Sequence, residues 1–296
     1  MKVLIIGASG FIGRACFSNF SRVSETIGFS RSGLSHNNFI VGATPEILPA
    51  LVKQKFDVII NCVGSSNIQD SFLNSSADFE SNVSFTQYVL DLIKNLSKET
   101  KFINLSSAAV YGNPAKLPVT ETTPLSPLSP YGFHKLLSED IVARYTAFFG
   151  LNALSVRIFS AYGPGLNRQL FHDLYTKFTA GHKTIELVGT GKESRDFIFI
   201  SDITSALEVL INKAAFRGET YNLGSQQESF IQPTAQLFAD ICNFKGDITF
   251  NQQQFKGYPN NWKADIAKLS SLGYSPKIPL KEGLSKYFNW LKTPHV

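Results

Sequence analysis

The sequence predicts an α/β protein whose first half is a doubly wound parallel sheet and whose second half adds a smaller C-terminal α/β lobe. Two observations predict it. Short runs rich in apolar and β-branched residues, such as Val3–Ile6 and Asp57–Asn61, alternate with segments of helical period, as in a parallel sheet covered on both faces. The first run stops at Gly7, and a helical pattern resumes near Phe11, with glycines at 7, 10 and 13.

Such a turn suits a nucleotide. Gly7 permits a tight bend, Gly10 lets backbone approach a pyrophosphate, and Gly13 lets the helix pack closely on the strand. The helix N-terminus then offers free N–H groups and the positive end of its dipole. Ser9, Phe11 and Ile12 fall within this turn and join the cofactor-binding candidates. The spacing is G-x-x-G-x-x-G rather than G-x-G-x-x-G, so the position after a first strand counts for more than the glycines alone.

Glu25–Phe29 reads as the second strand and ends in Ser30-Arg31-Ser32. An acidic residue at this place would bind both hydroxyls of an adenosine ribose, and none is present. Ser30 and Arg31 suit a 2′-phosphate instead, which favours NADP(H) over NAD(H); a surface arginine is the alternative. Phe39–Val41 is a third strand, and a helix runs from Pro45 through Leu51. The strand Asp57–Asn61 leads into Cys62-Val63-Gly64-Ser65-Ser66, small residues at a carboxyl edge where ligands sit in open α/β sheets. Phe79, Val83, Thr86, Leu90 and Ile93 define one helix face.

Phe102–Leu105 forms the fifth strand and runs into Ser106-Ser107-Ala-Ala-Val-Tyr111-Gly112. Residues 113–129 hold four prolines and no periodicity, as a functional loop would. Ser129-Pro130 starts a helix that continues to about Phe149, with serine at the N-cap and proline at the first helical position. Tyr131 and Lys135 share a face of it. Unperturbed tyrosine has a pKa of about 10; a nearby ammonium and an oxidised nicotinamide would lower it. Ser107 can donate to a substrate oxygen, so the three side chains suit interconversion of an alcohol and a ketone. His134, between them in sequence, reads as surface or packing, and His134, His172 and His182 have no partner at metal-ligand spacing.

In the second half, strands are predicted at 153–159, 184–188, 197–200, 221–223 and 248–250. Helices are predicted at 170–178, from Ser201-Asp202 as a cap to about Asn212, from about Pro233, and over Leu280–Leu291. The divisions are 1–160 with part of 190–225 for the cofactor domain, and 161–190 with 226–296 for the substrate lobe, in one compact unit.

A net charge of +5 without basic–aromatic clusters gives nucleic-acid binding no support. Three scattered cysteines, no membrane-length apolar run and no signal-peptide pattern place the protein in the cytoplasm as an expectation.

The chain resembles the extended short-chain dehydrogenase/reductases, the nucleotide-sugar epimerase/dehydratase group. The likeness rests on the glycine turn, Ser106–Gly112, Tyr131-Gly-Phe-His-Lys135, Val156–Pro164, Gly189–Phe197 and Tyr221–Gly224. It implies a Rossmann-type fold, a homodimer, and catalytic roles for Ser107, Tyr131 and Lys135. It further implies cofactor contacts from Gly7, Gly10, Gly13, Arg31, Val63 and Asn82, with Cys62, Gly64, Ser32 and Phe159 beside them. Arg195 matches the arginine that grips the substrate diphosphate, and Ser66 and Ser160 are further substrate-binding candidates. Leu170, Phe171 and Val188 are candidates for base contacts, with plain core packing as the alternative. Ala108 and Ala109 stand where dehydratases of the group carry an acid pair, which argues against dehydration. Ser160 replaces a common asparagine, Ala43 an aspartate near the adenine, and only Lys256 offers itself for a second diphosphate cation. The leading expectation is an NADPH-dependent reductase of a nucleotide-linked 4-keto-6-deoxysugar in polysaccharide biosynthesis. A nucleotide-sugar 4-epimerase is the alternative, and a non-catalytic NADP-binding sensor is a third.

Overall fold

The computed structural model describes residues 1–32, 38–42, 44–253 and 256–293, and no side chain of 44 or 45. Ala43, singled out above, lies outside the described residues. The first half alternates β1 (Lys2–Ile6), α1 (Phe11–Phe20), β2 (Glu25–Ser30), β3 (Phe39–Val41), α2 (Thr44–Val52) and β4 (Val58–Asn61). It continues through α3 (Ile68–Leu73), α4 (Ser75–Phe79), a π turn (Glu80–Ser84), α5 (Phe85–Leu96) and β5 (Lys101–Ser107). After a 3₁₀ turn at Ala108–Tyr111 come α6 (Pro130–Phe149), β6 (Ala153–Ile158), β7 (Ser160–Tyr162) and α7 (Gln169–Thr179). The remainder is β8 (Thr184–Leu187), β9 (Ser194–Phe199), α8 (Ile200–Lys213), β10 (Arg217–Leu223) and β11 (Glu228–Phe230), then α9 (Ile231–Ile241), β12 (Asp247–Phe250), α10 (Ala267–Ser270) and α11 (Leu280–Leu291).

Seven strands form one parallel sheet in the order β10-β6-β5-β4-β1-β2-β3. Strand order reverses between β1 and β4, which opens a crevice at their carboxyl ends. The central strands are buried throughout because helices cover both faces: Val3, Ile5, Val58 and Ile60 face one core, and Leu4, Ile6 and Ile59 the other. Beyond β6 the chain builds a three-stranded sheet (β11-β9-β7) and a two-stranded one (β12-β8) before and after it returns as β10.

Five elements depart from the sequence reading. The helix expected over 79–93 is broken by the π turn, whose extra residue rotates the helix phase. Val83, Thr86, Leu90 and Ile93 are buried as expected, but Phe79 is left 40% exposed. Ser201-Asp202 is no cap, since α8 starts at Ile200, and the Asp202 carboxylate accepts from the Lys277 and Ile278 amides instead. β9 begins at Ser194, earlier than expected, and the short strands β7 and β11 lie too deep in irregular chain for periodicity to mark them.

A buried polar brace ties the sheet to α6. Glu139 accepts from Ser106 Oγ and, at 2.7 Å, from Arg157 Nη2. Arg157 Nη1 in turn donates to the Tyr111 hydroxyl at 2.8 Å, and that hydroxyl donates to Asn222 at 2.7 Å. Every charge in the brace is paired, as burial requires.

Candidate active site

The glycine turn is as tight as its spacing implies. Gly7 adopts φ +83°, and its amide donates to Phe29 O at 2.8 Å. A Cβ on Gly13 would lie 2.1 Å from Gly7 O, so only glycine lets α1 pack there. No side chain caps α1 and no acid lies in its first turn. Its leading amides and dipole therefore face the crevice, where backbone stands open to a diphosphate. Arg14, which sequence reasoning missed, crosses the turn and donates to Ser9 O at 2.8 Å. Phe11 and Ile12 are half-buried against the core.

Ser9 and Ser30 share a hydrogen bond of 2.5 Å between their hydroxyls, which ties the turn to the end of β2; Arg31 and Ser32 are exposed. At the end of β4, Val63 N donates to Asn61 Oδ1, and Cys62 is half-buried. Gly64 adopts φ +140°, and a Cβ there would meet Asn82 Oδ1 at 2.3 Å and Lys135 Nζ at 3.0 Å. Asn82 Nδ2 donates to Ser65 O and Asp78 O, whereas its buried Oδ1 has no partner among the described residues. Such an acceptor needs a donor. With the glycine cradle, it fits a dinucleotide lying across the β1–β4 crevice. Phe159 is a core ring packed between Tyr111 and Trp262, and its amide is bonded to Leu223 O.

Next to this crevice the structure brings Ser107, Tyr131 and Lys135 together. Ser107 ends β5, and its hydroxyl accepts from Ala109 N at 3.1 Å. Ser129 caps α6 by accepting from Gly132 N at 3.1 Å, which fixes the turn that carries Tyr131. Gly132 is required there, because a Cβ would stand 2.7 Å from Ala109 O. Lys135 is buried and donates to Leu105 O at 2.8 Å, two residues before Ser107. Burial brings its pKa down to about 8, while Asp78, Cys62 and Glu139 act to raise it. Burial pushes the Tyr131 phenol up to about 12; the Ser107 hydroxyl and Arg168 pull it down, and Asp78 raises it. The expected lowering by the Lys135 ammonium is not what sets this phenol in the chain itself: desolvation dominates, and the opposing pull comes from Ser107 and Arg168. His134 is fully packed, with Nδ1 2.6 Å from Asp78 Oδ1, so of its two expected readings packing is the one found.

The substrate candidates separate. Ser66 accepts from Arg168 Nη2 at 2.6 Å, and Ser160 is half-buried on β7. Arg195 is half-buried over Trp262, donates to Ser194 O and Asn260 O, and has its pKa lowered by burial to about 10. Leu170 is half-buried and Val188 exposed. Phe171 is a core residue within a cluster of Tyr162, Phe197 and Phe238, so it is removed from the base-contact candidates. Lys256 lies over the Phe72 ring, 5.1 Å from its centroid. Arg168, whose charge reaches Tyr131, was missed; nothing in its local sequence marks it.

The model of the NAD-dependent epimerase/dehydratase family matches residues 3–224. Among curated proteins, the uncharacterized UDP-glucose epimerase YtcB of Bacillus subtilis is 29% identical, with 99% of this chain aligned to 98% of that one. A putative UDP-glucose 4-epimerase of Methanocaldococcus jannaschii is 25% identical, with 98% of each chain covered. The crystal structure of UDP-glucuronic acid 4-epimerase from Bacillus cereus, in complex with UDP-glucuronic acid and NAD, superposes with a TM-score of 0.90 at 26% identity over 99% of both chains. A seven-stranded Rossmann-type sheet, a glycine turn at its switch point and a matching family model over three-quarters of the length make this chain a member of the NAD-dependent epimerase/dehydratase family, an enzyme acting on nucleotide sugars.

Proposed function

We propose that the protein is an NAD-dependent nucleotide-sugar 4-epimerase whose substrate is a UDP-linked hexose or hexuronate. The observation that carries this reading is the full-length likeness to a 4-epimerase holding UDP-glucuronic acid and NAD. It displaces the reductase reading, which leaned on Ser30 and Arg31 as a 2′-phosphate site. Ser30 is buried with its hydroxyl bonded to Ser9, which weakens that reading, and the preference for NADP is replaced by NAD.

Bound NAD would supply a reversible hydride acceptor. The chain's own residues do the rest. Tyr131 acts as the phenolate: its own proton goes to solvent, a loss that Lys135 and the positive charge of a bound oxidised nicotinamide would favour against the burial that raises the phenol. Its Oη then takes the proton of the sugar C4 hydroxyl and later returns it, Ser107 Oγ donates to that same oxygen, and Lys135 Nζ holds positive charge beside them. The cradle at Gly7–Gly13 and the Asn82 acceptor orient the dinucleotide. Arg195 pairs with the substrate diphosphate, with Ser66 and Ser160 on the sugar side and Leu170 and Val188 toward the base. Ala108 and Ala109 supply no acid beside Ser107, so the oxidised sugar does not lose water. Residues 1–160 with part of 190–225 serve the cofactor, while 161–190 and 226–296 serve the substrate. The working enzyme is a cytoplasmic homodimer in this proposal.

The test is direct. The purified protein should retain NAD and interconvert two UDP-hexoses or UDP-hexuronates differing at C4, with no cofactor added. Consumption of NADPH by a nucleotide-linked 4-ketosugar, without such interconversion, would restore the reductase. Tyr131→Phe should lower turnover by about 10²-fold or more, as loss of a general acid–base does, and leave NAD retention unchanged.

A further inference from the structure

Behind Tyr131 and Lys135 lies a carboxyl–imidazole hydrogen bond that the proposed chemistry does not use. Asp78, at the end of α4, and His134, on the second turn of α6, meet at 2.6 Å with side chains 2% and 7% exposed. The Phe79 and Phe133 rings flank the imidazole at 5.4 and 6.0 Å. One carboxylate oxygen, Asp78 Oδ2, is buried without a partner among the described residues. A carboxyl group sealed in this way is a poor source of stability, since its desolvation offsets most of what its hydrogen bond returns. Its place says more. The Asp78 carbonyl accepts from Asn82 Nδ2 at 3.1 Å and from Ser81 Oγ at 3.1 Å, so the residue that bonds His134 also anchors the asparagine of the cofactor crevice.

We propose that Asp78 and His134 are positioning residues: they clamp the Asn82-bearing turn to the start of α6 and hold a buried carboxylate against the Tyr131–Lys135 pair. The groups facing Lys135 are Asp78 from α4, Cys62 from the end of β4, Glu139 from α6 and the Leu105 carbonyl from β5. Those facing Tyr131 are Ser107, Asp78 and Arg168. Asp78 is common to both sets and acts in the same direction on each, toward the protonated form.

This rests on Tyr131 and Lys135 being the reacting pair, but its test does not use turnover, so the two can fail separately. Lysines labelled at ¹³Cε are titrated by NMR in the cofactor-free protein, with the Lys135 resonance assigned by its loss in Lys135→Arg. Lys135 should titrate near 8 in the native chain. Asp78→Asn keeps the shape and removes the charge, and should lower that midpoint by on the order of one pH unit, the size of a near, partly screened charge. His134→Gln keeps a donor and the carboxylate, and should not lower it. If Asp78→Asn does not fold, the double variant Asp78→Asn/His134→Gln preserves an amide–amide hydrogen bond and should give the same fall. An unmoved midpoint in the uncharged variant overturns the proposal. An equal fall in His134→Gln also overturns it, because packing alone would then be responsible.

Discussion

Replacing Lys135 by methionine tests whether a reactive group is kept at the expense of the fold. The native ammonium sits in a 6% exposed site, and its pKa drops from 10.5 to about 8. At 1.36 kcal/mol per unit, that is a folding penalty of about 3 kcal/mol wherever both states are protonated. Between pH 8 and 10.5 the folded lysine has shed its proton while the unfolded chain keeps it. The unfolded state then binds more protons, so stability rises with pH through that window and the penalty disappears above it. Methionine has no such dependence. It loses the bond to Leu105 O at every pH, a cost of about 1–3 kcal/mol for a buried acceptor left unpaired. At pH 7 the two effects nearly cancel, and Lys135→Met should match the native protein or exceed it by up to about 2 kcal/mol. Urea unfolding across pH 7 to 10.5 should show native stability climbing by about 3 kcal/mol relative to the variant. Parallel curves would refute the reasoning.

Two further outcomes are expected. Gly13→Ala brings a methyl to 2.1 Å from Gly7 O, which backbone cannot yield cheaply, so NAD retention should be lost together with about 2–4 kcal/mol of stability in urea titration. Arg157→Met leaves Glu139 buried without its partner and should cost about 3–5 kcal/mol. Calorimetry would show this as a clear fall in Tm.

Sequence resolved the cofactor end well because backbone geometry dictates residue type there. Gly7, by its positive φ, Gly13, by its close approach to Gly7 O, and the Ser129-Pro130 cap are each demanded by local backbone geometry, and local demands can be read in one dimension. Elsewhere the decisive partner is distant. The role of Asp202 is decided by amides 75 and 76 residues further on. Phe171 stays open between base contact and core packing on sequence alone, because a core phenylalanine and a base-contacting one are identical on paper. The polar residues of α6 did hold an unread signal. Tyr131, His134, Lys135, Ser138 and Glu139 recur at helical spacing where apolar residues would ordinarily face a sheet. A buried stripe of this kind points to His134 and Glu139 as participants. Reductase and epimerase are not separated by sequence because the family resemblance assigns the same three side chains to both.

The late arrival of β10 has a consequence for the nascent chain. β6 is made by residue 158, but its neighbour on the far side begins only at Arg217. At roughly 5–20 residues per second, a growing polypeptide leaves one flank of its main sheet without a mate for several seconds. Naked strand flanks invite pairing with other molecules. Ribosome-bound fragments ending between these two points should therefore be the ones that clump or recruit chaperones, and the hazard should vanish once Leu223 has cleared the exit tunnel.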